Sequence, residues 1–211
     1  SADGHLILWT TEGEVIEERQ LEMELAEVVV SAAGDFVVLT TLEGEAFLSP
    51  FDEEPLRRLE LEAPVKAVGL MSADELVLTL DEEGVFRSFD VKSGALALER
   101  SRDEPVSVMG SASTGAVGAI GTGGGEIELW DLAAGKRFGE LSHGEHLSGL
   151  RFSRGAEHLL SWGGKMALDG DGTLRGWSTE SLEEISAVHG ERAFVDAEFD
   201  PLGGRVVASN G

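Results

Sequence analysis

One pattern recurs along the chain and restricts its fold more than any other feature. A small turn leads into an alternating apolar stretch five times over. The segments are Asp3-Gly-His-Leu-Ile-Leu-Trp9, Glu43-Gly-Glu-Ala-Phe-Leu-Ser49, Glu83-Gly-Val-Phe-Arg-Ser-Phe89, Gly124-Gly-Glu-Ile-Glu-Leu-Trp130 and Asp171-Gly-Thr-Leu-Arg-Gly-Trp177. In each, a glycine lies five residues before the last position, and the last positions are spaced by 40, 40, 41 and 47 residues. A fixed period of this length marks a stacked supersecondary unit. One such unit cannot bury its apolar face alone, so its neighbours must cover it.

The residues between these segments supply the rest of each unit. Upstream lie two short β-rich runs, such as Val65-Lys-Ala-Val-Gly-Leu70 followed by Leu76-Val-Leu-Thr79, and Leu150-Arg-Phe152 followed by His158-Leu-Leu-Ser161. Turn residues separate them: Ala33-Gly34-Asp35, Ser113-Thr114-Gly115 and Pro201-Leu-Gly-Gly204. Downstream, a further glycine turn opens a last strand, as in Ser93-Gly94-Ala-Leu-Ala-Leu98 and Ala134-Gly135-Lys-Arg-Phe138. No window sustains apolar residues at i, i+3, i+4 and i+7, so few helices are expected. The 28 glycines against 5 prolines fit an all-β chain rich in tight turns.

At this point the chain resembles the WD-repeat β-propeller family. Trp130-Asp-Leu-Ala-Ala-Gly-Lys136 is similar to the end of a WD blade, where Trp-Asp closes the third strand and a glycine turn opens the fourth. His143, nine residues before Phe152, resembles the family's Gly-His element, with the order reversed at His143-Gly144 and His189-Gly190. Only Trp130 carries the Trp-Asp pair, and the segments ending at Ser49 and Phe89 are degenerate. The resemblance spans essentially the whole chain. It implies an all-β propeller of four-stranded antiparallel blades, with units at 22–61, 62–101, 102–142 and 143–190. A second half-blade at 1–21 and a first half-blade at 191–211 flank them. Two readings of these ends stand: they join as a fifth blade, with 43 residues from Trp177 to Trp9, or the chain is a piece of a larger propeller. The opening Ser1-Ala-Asp-Gly4, without Met, favours the second.

The resemblance also implies a buried relay pinning each blade, with an Asp six residues before the Trp. His143, Ser161, Asp171 and Trp177 would form one relay. His189, Ser209, Asp3 and Trp9 would form a second if the ends meet. The physical need is that a buried imidazole and a buried indole N–H find partners.

Other constellations are weaker. Asp169-Gly-Asp171-Gly-Thr173 with Glu180 looks like the start of a calcium loop, but Leu174 stands where the sharp turn needs Gly. His143, Glu145, His146 and His158 lack a recognisable metal-ligand spacing. Asp196 and Glu198 alternate on a strand and read as the polar lining of a wet channel rather than a glycosidase pair. Gly121-Thr-Gly-Gly-Gly125 lacks the Lys and following helix of a phosphate loop.

Forty acidic residues against 16 basic ones give a net charge of −24. That field repels phosphate backbones and anionic bilayers and steers basic proteins inward, so neither nucleic acid nor membrane is an expected partner. Cysteine is absent, which removes disulfides, thiolate catalysis and Cys-ligated zinc. No leader and no membrane-length apolar run occurs within these residues, so a cytoplasmic location is the expectation. Twelve Arg against four Lys suggest a GC-rich, bacterial source. The expected function is a non-catalytic platform for protein partners without cofactor, one module of a larger protein. The alternatives are a propeller hydrolase and a small-ligand or metal-binding sensor domain.

Overall fold

A computed structural model describes residues 4–31, 34–50, 56–71, 76–101, 104–112, 116–164, 171–200 and 203–210. Among them the chain forms strands and turns, without a helix, in six antiparallel sheets. The first sheet pairs β1 (His5–Trp9) with β2 (Val15–Gln20). Four four-stranded sheets follow. They are β3 (Leu25–Val30), β4 (Phe36–Thr41), β5 (Ala46–Pro50) and β6 (Arg57–Arg58); then β7 (Val65–Met71), β8 (Leu76–Asp81), β9 (Phe86–Asp90) and β10 (Leu96–Arg100); then β11 (Val106–Ser111), β12 (Val117–Thr122), β13 (Glu126–Asp131) and β14 (Lys136–Ser142); and finally β15 (Leu147–Phe152), β16 (His158–Gly164), β17 (Gly172–Ser178) and β18 (Glu184–Gly190). The last sheet pairs β19 (Phe194–Phe199) with β20 (Val206–Asn210). Within every sheet, strands adjacent in sequence are adjacent in space.

The repeated segments become β1, β5, β9, β13 and β17. Four of their last positions take equivalent places: Ser49, Phe89, Trp130 and Trp177 face Val37, Val77, Gly118 and Leu159 of the preceding strand. At four of the five repeats the spacing of the turn glycine has a backbone cause, while Gly172 lies within β17 without a left-handed φ. Gly4, Gly44, Gly84 and Gly125 have φ of 71°, 80°, 78° and 91°, in the left-handed region where a Cβ is costly. Each also lies against the segment that enters the next sheet. A Cβ on Gly44 would fall 2.3 Å from Pro64 Cβ, and one on Gly125 would fall 2.4 Å from the Glu145 carbonyl oxygen.

The second strands explain the unbroken apolar runs. β4 is buried along its whole length because a sheet covers each of its faces. Its side chains alternate between the two neighbours. Val37 and Leu39 pack with Leu6 of the preceding sheet and with Leu21 and Met23 of the segment leading out of it, while Val38 packs with Val77 and Phe89 of the following sheet. The arrangement repeats along the chain. Leu78 and Leu80 meet Ile120 and Trp130, Leu129 meets Leu159 and Trp177, and Leu160 meets Phe194 and Ala197. Each fully buried Leu or Phe in these seams contributes about 1.5–3 kcal/mol of transfer free energy. Fourth strands are largely exposed, β18 most of all.

Two irregularities recur in register. The first strand of five of the six sheets skips its second residue in the ladder, producing bulges at Ala26, Lys66, Ser107, Ser148 and Val195. The last strand of four sheets skips a residue opposite the end of the repeat, at Ile16, Ala97, Phe138 and Ile185. Such bulges bend and twist a strand, here at the same two places in successive sheets. The first strands β3, β7, β11, β15 and β19 neighbour one another in turn, and a cavity of about 520 Å³ opens along β7, β11 and β15.

The composite fifth sheet considered from the sequence is not formed among the described residues. β1–β2 and β19–β20 are separate two-stranded sheets, and Trp9 and Val207 are 60% and 73% exposed.

Candidate functional site

The most ordered polar constellation is built around β16 and β17. Ser161 points to the same side of β16 as Leu159, into the seam with the preceding sheet, and the indole of Trp177 lies in that seam. Trp177 Nε1 donates to Ser161 Oγ at 2.8 Å, and His143 Nδ1 lies 2.8 Å from the same oxygen. One hydroxyl serves both neighbours if its proton goes to Nδ1 while its lone pair accepts the indole N–H, which leaves the imidazole proton on Nε2. His143 Nε2 is buried and has no hydrogen-bond partner. The backbone of His143 is fixed from both sides: its N–H donates to Gly125 O at 2.8 Å, and Arg175 Nε donates to its carbonyl at 3.0 Å.

The electrostatics follow from burial. His143 is completely buried, and desolvation, reinforced by the Arg175 charge, lowers its pKa from 6.5 to about 4 against the opposing pull of Glu145 and Glu184. The ring is therefore neutral at pH 7. A Ser–His pair at this distance resembles a nucleophile and its base. Here, however, Ser161 is as buried as His143, and its oxygen is held by the indole. The arrangement can pin a sheet to its predecessor but presents no nucleophile to a substrate.

The remaining sequence candidates fall elsewhere. Asp171 is exposed at the entrance to β17 and is not among the charges that shift His143. Of the second set, Asp3 lies outside the described residues. Trp9, His189 and Ser209 are exposed on β1, β18 and β20, which belong to three different sheets. Ser209 is also offset by one residue. Ser161 pairs with Leu150, three residues into β15, whereas the position three residues into β19 is Ala197, and it pairs with Ala208. A one-residue offset sends a side chain to the opposite face of a sheet. Asp169 of the calcium-like segment lies outside the described residues. Among those described, no three His, Asp or Glu residues are grouped to hold a metal ion. Asp196 and Glu198 are exposed on β19, and Asp196 lies 3.9 Å from Arg151.

The sheet before and the one before that replace the Trp–Ser–His chain with ion pairs that sequence reading missed. Arg87 and Asp81 are almost fully buried. Arg87 Nη1 donates to Asp81 Oδ2 at 2.5 Å, and Nε donates to Glu99 Oε2 at 2.7 Å. Burial alone would lower the guanidinium pKa, but hydrogen bonds to Asp81 and Glu99 and their charges outweigh it and hold the pKa above its ordinary value. In the next sheet, Ile120 occupies the place of Ser161, so no hydroxyl stands there for the Trp130 indole. Its Nε1 donates instead to Glu128 at 3.1 Å, and Glu128 also accepts from Arg137 at 3.0 Å. Arg87, Glu128 and Arg175 all stand two residues before the end of their repeat, and that shared offset was the available signal. No protein-family model matches the chain, and no curated protein sequence matches it.

Proposed function

We propose that the chain is a run of WD-type propeller blades that serves as a non-catalytic platform for protein partners. The observation that carries this reading is a contrast in exposure. The reactive-looking groups, Ser161 and His143, are sealed in a seam. The large apolar residues at the recurrent bulges of outer strands, Ile16, Phe138 and Ile185, are 62%, 42% and 56% exposed. Apolar side chains repeated at one register around an acidic rim suit a partner that brings its own apolar anchors within a basic surface. In-register first strands, face-to-face seams and four-stranded antiparallel sheets support the propeller part of the reading.

Photo-crosslinking amino acids at Phe138 and Ile185, used in extracts of the native source, test the proposal. A platform gives one protein adduct shared by both positions, weakened by added salt and lost on Phe138→Asp. A hydrolase is the competing reading. It predicts labelling by a fluorophosphonate that disappears in Ser161→Ala, and such labelling overturns the platform.

A further inference from the structure

We propose that the cavity along the first strands is a binding site for an elongated dianion of the medium-chain dicarboxylate class. This goes beyond the platform reading and does not rest on it. Acidic residues outnumber basic ones 40 to 16 in this chain. Even so, the charged residues lining the cavity, among those described, are Lys66 and Arg151, with no carboxylate. The two cations sit at different depths. Lys66 is the bulge residue one position into β7, and Arg151 lies four positions into β15. Three residues of strand rise separate those levels by about 10 Å. Between them the wall is mostly apolar, with Val68, Val108, Met109, Leu150 and Trp162, and Leu70 extends it one level past Arg151. An apolar body with an anionic group at each end matches that sequence of surfaces, and the volume of about 520 Å³ accommodates it.

Both cations retain donor capacity. The Lys66 ammonium donates to the Ser107 carbonyl at 2.9 Å and has two further protons. Arg151 has a 3.9 Å ion-pair contact with Asp196 and is half-exposed, which leaves most of its five donors for a carboxylate. The wall adds the Ser107 and Ser148 hydroxyls. It also adds the inner edges of β7, β11 and β15, which are terminal strands of their sheets and carry no ladder on that side. The negative field of the rest of the molecule is screened beyond about 8 Å at physiological ionic strength, so the local pair of cations governs the last step of entry.

The test is calorimetric titration of the 211-residue chain with azelate, succinate and nonanoate, accompanied by thermal melts. Azelate, whose extended chain spans both levels, should bind and raise the melting temperature. Succinate, too short, and nonanoate, with one carboxylate, should each bind about tenfold or more weakly, the loss expected for one charge-assisted contact. Lys66→Met and Arg151→Met, both at solvent-accessible positions, should each weaken azelate by a similar factor while melting like the parent protein. Absence of azelate binding at millimolar concentration overturns the proposal. So does equal affinity for succinate, or affinity unchanged in both variants.

Discussion

Lowering the pH should destabilise this protein through one buried ring. His143 in the folded chain has a pKa of about 4, against 6.5 for the ordinary imidazole. The unfolded chain therefore binds the extra proton first. Stability from the neutral ring is fully present above about pH 6.5, falls as the pH drops towards 4, and stays lost below that. A depression of this size corresponds to about 3 kcal/mol at full effect. The groups facing the ring determine the sign: burial and Arg175 oppose protonation more than Glu145 and Glu184 favour it. The many carboxylates titrate in the same range, so the assay must isolate the histidine. Urea unfolding of the parent and of His143→Gln, which keeps a hydrogen-bonding group near Ser161 but does not titrate, should be measured from pH 7.5 to 4. The parent's advantage should shrink by about 3 kcal/mol across that window. An advantage independent of pH, or an NMR titration placing His143 near 6.5, would refute the reasoning.

Two further outcomes follow from burial and backbone geometry. Trp177→Ala removes a buried ring from a seam and an indole from Ser161, and should cost about 3–5 kcal/mol in denaturant melts. Asp171→Ala, at an exposed residue, should stay within about 0.5 kcal/mol of the parent. Gly125→Ala should cost more than Gly13→Ala in the same melts. Both glycines have φ near 90°, but the Gly125 methyl would collide with the Glu145 carbonyl, whereas Gly13 has nothing within 4 Å. Equal costs would mean that backbone strain alone explains the repeated glycine.

The exposed apolar residues of the outer strands and the lined cavity differ in how they relate to the chain's own repeat. Ile16, Phe138 and Ile185 occupy the same bulge in three sheets, so a surface built from them inherits the repeat. Lys66 and Arg151 do not. Equivalent positions on neighbouring first strands carry Ala26, Ser107, Ser148 and Val195 for the former, and Val29, Gly69, Gly110 and Glu198 for the latter, so neither cation recurs. Ligand specificity is a reason to place such departures from a structural repeat in a cavity.

Local periodicity was enough to determine the all-β character, the place of four of the five repeated segments within their sheets and most of the turn glycines, because these depend on strand alternation and on one backbone conformation. The grouping of Trp177 with Ser161 and His143 came from the family resemblance rather than from the period, and all three lie within one unit. What the chain alone left open depends on register and on partners distant in sequence. Ser209 looks equivalent to Ser161 until the ladder shows the offset of one residue, which reverses its face. Asp171 has the spacing of a relay member, yet exposure removes it from the seam. Arg87 drew no attention in the sequence, but folding buries it against Asp81 and Glu99. The separation of β1–β2 from β19–β20 and the meeting of Lys66 and Arg151 in one cavity are likewise tertiary. Both depend on how five seams accumulate twist between sheets, a quantity set by packing across each seam and not by any one repeat.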